Sequence, residues 1–263
     1  MKNFISLLAL VAVAGLQLVT PIDAANIQRV VGNPMPSHIT QFPFEVSIRR
    51  RFCDACAYEH YCSGTIYSSK VVITARSCVK DAVPQRTHIV AATNKRSATT
   101  QEGEMYLVEG FVEHQTADIA LIHLTMEFAF NSQFLQPVTL ATQAPVKGSK
   151  GLVAGWGQLS EFEMNFDDGL KSVEVPILDL KECREAYFWT NVNEWEFCAG
   201  YLQGGVDTCQ GDAGSPLLVK GQMVGIVSWG YGCARRGNPG VYTNVVMLRE
   251  WIEQYSTITI EFL

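Results

Sequence analysis

Hydrolysis through a serine needs three groups in register. A hydroxyl attacks, an imidazole takes and returns its proton, and a buried carboxylate holds the imidazole in the right tautomer. The stretch Asp207-Thr208-Cys209-Gln210-Gly211-Asp212-Ala213-Gly214-Ser215-Pro216 gathers two carboxylates, two glycines and a serine around Ala213. The methyl group of Ala213 cannot attack a carbonyl. Ser215 and Ser77 carry hydroxyls, but each would need an adjacent base. The histidines, His38, His60, His88, His114 and His123, lie in other segments. The pair Cys53-x-x-Cys56 is a second candidate for chemistry. A redox role needs a thioredoxin-like strand–helix context, and a zinc site needs a second ligand pair. Neither is present, so we expect no cofactor and no metal.

The elements around these residues read as short strands between turn signals. Phe44–Ile48 alternates, and Val71–Thr74, Leu107–Val112, Ile119–Leu124 and Met223–Val227 are apolar runs of strand length. Many short strands punctuated by Gly, Pro and Asn predict an all-β sandwich or barrel architecture. Helical spacing occurs at the C-terminus, where Val245, Leu248, Trp251, Ile252 and Tyr255 share a face behind a capping candidate at Asn244. A short helix is expected around Asp179 to Ala186.

The chain has 263 residues, 48% of them hydrophobic, which is enough for a sizeable core. A net charge of −6 argues against nucleic acid as a partner. Lys2 followed by the apolar run Phe4–Val19 and the small residues Ala24 and Ala25 reads as a secretory signal peptide over residues 1–25. A membrane anchor is the weaker reading, because the run is short and small residues follow it. We therefore expect a secreted, extracellular protein with no membrane association. Eight cysteines in such a chain imply disulfides, in a connectivity that spacing leaves open. No Asn-x-Ser/Thr sequon occurs.

Several segments together resemble the trypsin-like branch of the chymotrypsin-fold serine proteases. Cys62-Ser63-Gly64-Thr65-Ile66 and Val72–Cys78 are similar to the family's C-G-G-T-I and V-I-T-A-A-H-C. Ala117–Ile122 resembles N-D-I-A-L-I, Gly155-Trp156-Gly157 matches G-W-G, and Gly211–Pro216 stands where the family has G-D-S-G-G-P. Ser228–Ala234 and Pro239–Val245 complete the series in family order. The resemblance implies two six-stranded antiparallel barrels with a C-terminal helix, the first over about residues 30–136 and the second over about 137–263. It implies bridges Cys62–Cys78, Cys183–Cys198 and Cys209–Cys233, leaving Cys53 and Cys56 to close a small loop of their own.

The same resemblance assigns sites. Asp118 keeps the triad carboxylate, Ser77 occupies the histidine slot and Ala213 the nucleophile slot. Backbone N–H groups of Gly211 and Ala213 form the oxyanion hole. Asp207, with Ser228, Gly230 and Gly237, forms the pocket that receives Lys or Arg in trypsin-like enzymes. Residues 26–29 read as a short propeptide, and cleavage after Arg29 frees the amine of Val30 to pair with Asp212. Arg76, beside the histidine slot, either turns inward to fill catalytic space or outward to charge the rim. Arg49–Arg51, the acidic aromatic segment Glu161–Asp168, Trp189 and Trp195 are candidate binding surfaces. The implied protein is an inactive protease homologue, a monomer that binds extracellular proteins as decoy or inhibitor. It is most similar to mite group 3 allergen trypsins and to the scabies mite inactivated protease paralogues, whose inhibition of host complement makes complement components the implied partners. A residual or rewired hydrolase with Lys/Arg preference is the alternative.

Overall fold

The computed structural model describes residues 34–97, 102–162 and 167–260. The strands are β1 (Met35–Pro36), β2 (Glu45–Arg50), β3 (Glu59–Ser68), β4 (Val71–Thr74), β5 (Thr87–Ala91), β6 (Glu104–Glu113) and β7 (Ala120–Leu124) in the first half. The second half holds β8 (Lys150–Gly155), β9 (Lys171–Pro176), β10 (Glu196–Ala199), β11 (Pro216–Val219), β12 (Gln222–Trp229) and β13 (Gly240–Asn244). Short helices α1 (Arg76–Val79), α2 (Leu180–Ala186) and α3 (Arg249–Tyr255) complete the set.

Strands β2-β3-β4-β7-β6-β5 close into a six-stranded antiparallel barrel. The apolar run of β4 is buried at every position because it is covered on both faces, so it shows no alternation. The other strands form a seven-stranded sheet in the order β1-β9-β8-β11-β12-β13-β10. The end of β9 returns to β10 through Leu178 N–H to Cys198 O and Gly200 N–H to Pro176 O, both 2.9 Å. Six strands thus ring a second core, joined at one seam by a bridge rather than a long ladder, and β1 is a seventh strand added outside them.

Each half lends an end to the other. Met35–Pro36 pairs with Ser172 and Lys171 of β9, so the start of the described chain belongs to the second sheet. Conversely, Val245, Leu248 and Ile252 are buried in a core cluster that joins first-barrel residues to Leu218, Met223 and Ile226 of the second sheet, and Trp251 meets His114 of the first half edge-on at 5.2 Å. The C-terminal helix begins later than its apolar spacing suggests. Asn244 Oδ1 accepts from the N–H groups of Val246 and Met247 and so caps a turn, and α3 starts at Arg249. The expected short helix is α2, whose Asp179 and Glu182 form a reciprocal capping box. Cys62–Cys78, Cys183–Cys198 and Cys209–Cys233 pair as expected, and Cys53 pairs with Cys56. Among the described residues no helix is long and apolar enough to cross a membrane. The leader, Arg29 and Val30 lie outside the described residues.

Candidate functional site

The site lies where the two halves meet, and three loops build it. The first is the turn from β4 into α1. It places Ser77 so that its N–H donates to Asp118 Oδ1 at 2.7 Å and its Oγ to Oδ2 at 3.2 Å. The second is the β6–β7 loop, which carries Asp118. His114 Nδ1 accepts from Thr116 and Ala117 N–H, and Thr243 Oγ1 donates to the carbonyl of Asp118, so the loop is pinned from both sides. Ser228 Oγ, at the end of β12, donates to Asp118 Oδ2 at 2.5 Å. These three donors hold the carboxylate. Arg76 contributes none. It turns outward, its Nε 2.9 Å from Glu113 and its Nη1 3.4 Å from Gln115 O.

The third loop is 209–215. Cys209 anchors it to Cys233, and Asp212 folds it on itself: Oδ2 accepts from Cys209 N–H and Oδ1 from Gly157 N–H. Gly155 and Gly157 must be glycines here, since a Cβ on either would lie within 2.4 Å of the Asp212 carboxylate. Burial pushes Asp212 up to about 6 against the pull of those two donors. Ala213 O accepts from Ser63 N–H, and Gly214, at φ +87°, lies so close to Ser63 O that a Cβ would meet it at 2.1 Å. Gly211 O accepts from Nε2 of His60, whose Nδ1 faces Ser47 Oγ at 2.8 Å. Burial pushes His60 down to about 3, which keeps the ring neutral, one nitrogen donating and the other accepting. The N–H groups of Gly211 and Ala213 donate to no carbonyl or side chain of the described residues.

Beside this loop lies a pocket lined by Asp207, Gln210, Ala213, Ser228, Trp229, Gly230, Gly232, Cys233 and Gly240. Asp207 is 6% exposed and accepts from Thr208 N–H at 2.9 Å and Ala234 N–H at 3.1 Å. Burial outweighs those donors and pushes its carboxyl up to about 7. Gly237, expected on the wall, is not there. It sits at φ +79° in a turn with open space around it. Gly240 takes that place, where a Cβ would lie 2.9 Å from Asp207 Oδ1. The resemblance already includes Gly240, in Pro239–Val245, among the matching segments, and β13 carries it to the pocket paired with Ala199.

The candidate surfaces are engaged more than their sequence suggests. Arg49 is buried, donating to Ser47 Oγ and Arg96 O. Arg50 lies over Phe52 and Tyr61, and Arg51 over Tyr58. Asp168 accepts from Ser97 N–H and Oγ, and Asp167 pairs with Lys171. Trp189 is half exposed beside Tyr231, whereas Trp195 packs against the main core.

Sequence reasoning passed over Glu45. It is fully buried at the start of β2, and Ser215 Oγ donates to its Oε1 at 3.0 Å across the two halves. Its Oε2 finds no partner. Burial raises its carboxyl well above the usual range, with Asp212 adding to the shift. The available signal was a carboxylate among apolar neighbours, Phe44-Glu45-Val46, together with a serine in the glycine position at 215.

Comparison with known proteins fits this architecture. A family profile described as Trypsin matches residues 31–252. The chain is 33% identical over 260 residues to trypsin eta of Drosophila melanogaster, covering 95% of this chain and 97% of that protein. It is 37% identical over 196 residues to trypsin-3 of Salmo salar (73% and 82%), and 32% identical over 249 residues to trypsin I-P1 of Gallus gallus (94% and 96%).

Proposed function

This chain belongs to the trypsin family, and we propose that within it the protein binds without cutting. It is a secreted homologue that receives a basic side chain at Asp207 and performs no hydrolysis. It acts as a decoy or inhibitor in an extracellular proteolytic cascade, with host complement the cascade the sequence resemblance favours. The observation that carries this reading is the company Asp118 keeps. Its carboxylate is held by Ser77 and Ser228, neither of which serves as a base at neutral pH, and Ala213 presents a methyl group to the cleft. Triad members act as a unit, so such losses cost about 10⁶ in turnover. The acidic pocket needs none of them, because pairing of a carboxylate with a guanidinium or ammonium group is independent of the nucleophile.

Activation fits the same reading. Pro34, four residues after Val30, lines a second concavity with Gly155, Gly157, Ser172 and Asp212. A freed Val30 amine would find there the half-buried carboxylate of Asp212. The four disulfides and the leader-like residues 1–25 support secretion.

The test uses the Arg29-cleaved protein. Calorimetry with benzamidine is expected to show binding, and Lys and Arg anilides are expected to show no turnover above background. A burst or steady turnover would establish the rival reading, a rewired hydrolase. In serum, the protein is expected to lower lytic complement activity with dose; no effect would remove complement from the proposal and leave the pocket reading standing.

A further inference from the structure

Glu161 comes from the acidic segment of the β8–β9 loop, yet it does not face solvent as a recruiting charge. Its Oε2 accepts from Arg235 Nε at 2.8 Å and its Oε1 from Arg235 Nη2 at 2.5 Å, a two-pronged pair. Oε2 also accepts from the backbone N–H of Cys233 at 3.4 Å. The next N–H along the chain, that of Ala234, donates in the opposite direction to Asp207. The wall segment 232–235 is therefore clamped between two carboxylates, Glu161 outside and Asp207 inside. It needs a clamp. Ala234 sits at φ +54°, a left-handed conformation that a non-glycine residue adopts at a cost. Gly232, at φ +77°, admits the clasp only because it has no side chain: a Cβ there would lie 2.3 Å from Arg235 Nε and 2.7 Å from Glu161 Oε2. Arg235 also stacks over Tyr231 at 5.0 Å.

The geometry points to Glu161 as a specificity-determining and positioning residue of the Asp207 pocket, holding its outer wall and cancelling the Arg235 charge that would otherwise oppose an entering cation. This rests on the reading that Asp207 receives a cation. Gly232 and Cys233 line the pocket, and the Arg235–Glu161 pair touches both from behind, so an unbalanced charge there acts on a ligand one backbone layer away.

Benzamidine calorimetry on the wild-type protein and three variants separates the two roles. Glu161→Gln leaves Arg235 unbalanced and is expected to weaken binding about threefold to tenfold, whereas Arg235→Gln leaves Glu161 unbalanced and tightens it about threefold at low salt. Both shifts shrink as salt rises. The double variant restores neutrality, so any weakening it keeps reports the wall's position alone. Wild-type binding with both single variants unchanged overturns the inference. Failure of the wild type to bind overturns the pocket reading instead, and amide exchange then decides on Glu161. The Ala234 N–H is expected to exchange about tenfold faster in Glu161→Gln than in the wild type if Glu161 holds the wall. An unchanged rate removes the positioning role as well.

Discussion

A cation entering the pocket meets a carboxyl that burial has pushed up to about 7. Near neutrality the site must release a proton before it pairs. Benzamidine affinity should therefore rise by up to about tenfold per pH unit below 7 and level off above it. Calorimetry in buffers of different ionisation enthalpy should detect the released proton at pH 6.5. A flat profile between pH 5.5 and 8 would mean that the ligand does not reach Asp207. On the catalytic side, Ser228 already holds Asp118, and the N–H groups of Gly211 and Ala213 are uncommitted. Restoring both missing groups with Ser77→His and Ala213→Ser should produce hydrolysis of Lys and Arg anilides, while each single variant stays at background. Activity in Ala213→Ser alone would reveal a base that this geometry does not contain.

Among the connecting elements, the 209–215 loop and β2 are coupled by a pair 170 residues apart in sequence, Glu45 and Ser215. Glu45, Asp207 and Asp212 all titrate above their ordinary values in the folded chain. Their contribution to stability is full below about pH 4 and is lost as pH rises through the folded values, about 6 for Asp212 and about 7 for Asp207. His60, pushed down to about 3, works the other way, contributing above about pH 6.5 and losing that contribution as pH falls. Glu45→Gln should accordingly raise the melting temperature by a few degrees at pH 8 and change little at pH 4, read by scanning calorimetry at the two pH values. An equal shift at both would show that Glu45 ionises freely. Ser215→Gly removes the donor to Oε1 and should cost about 1–3 kcal/mol in denaturant unfolding. The Cys53–Cys56 bridge spans only three positions in an exposed hairpin. Replacing both with Ser should leave stability nearly unchanged, unlike loss of Cys62–Cys78, because a short loop gives up little entropy on closure.

At the scale of the whole molecule, much was legible from the chain. Buried-strand runs such as Val71–Thr74 announced themselves by composition, and the resemblance supplied three of the cysteine pairs and singled out Ser77, Asp118 and Asp207. What sequence order hid were contacts whose partners share no local pattern. Glu45 with Ser215 and Glu161 with Arg235 are both fixed by how distant loops converge. The destination of α3 was hidden for the same reason: its apolar face was plain in the spacing, but nothing local says that it packs on the other half. Ending the chain after Leu248 should abolish the cooperative thermal transition, since Ile252 is fully buried in the core cluster shared by the two halves. A transition surviving at an unchanged temperature would show that the first barrel stands without α3.

That exchange of ends has a consequence for synthesis. A chain made from its N-terminus onward completes the six strands of its first barrel by residue 124, yet Val245, Leu248 and Ile252, which share a core cluster with that barrel, follow only after the last strand of the second sheet. The first barrel must therefore wait, its strands made but part of its apolar surface uncovered, until the second is finished. A protein arranged in this way matures as a single unit, and its first half is at risk of aggregation for as long as translation of the second half takes.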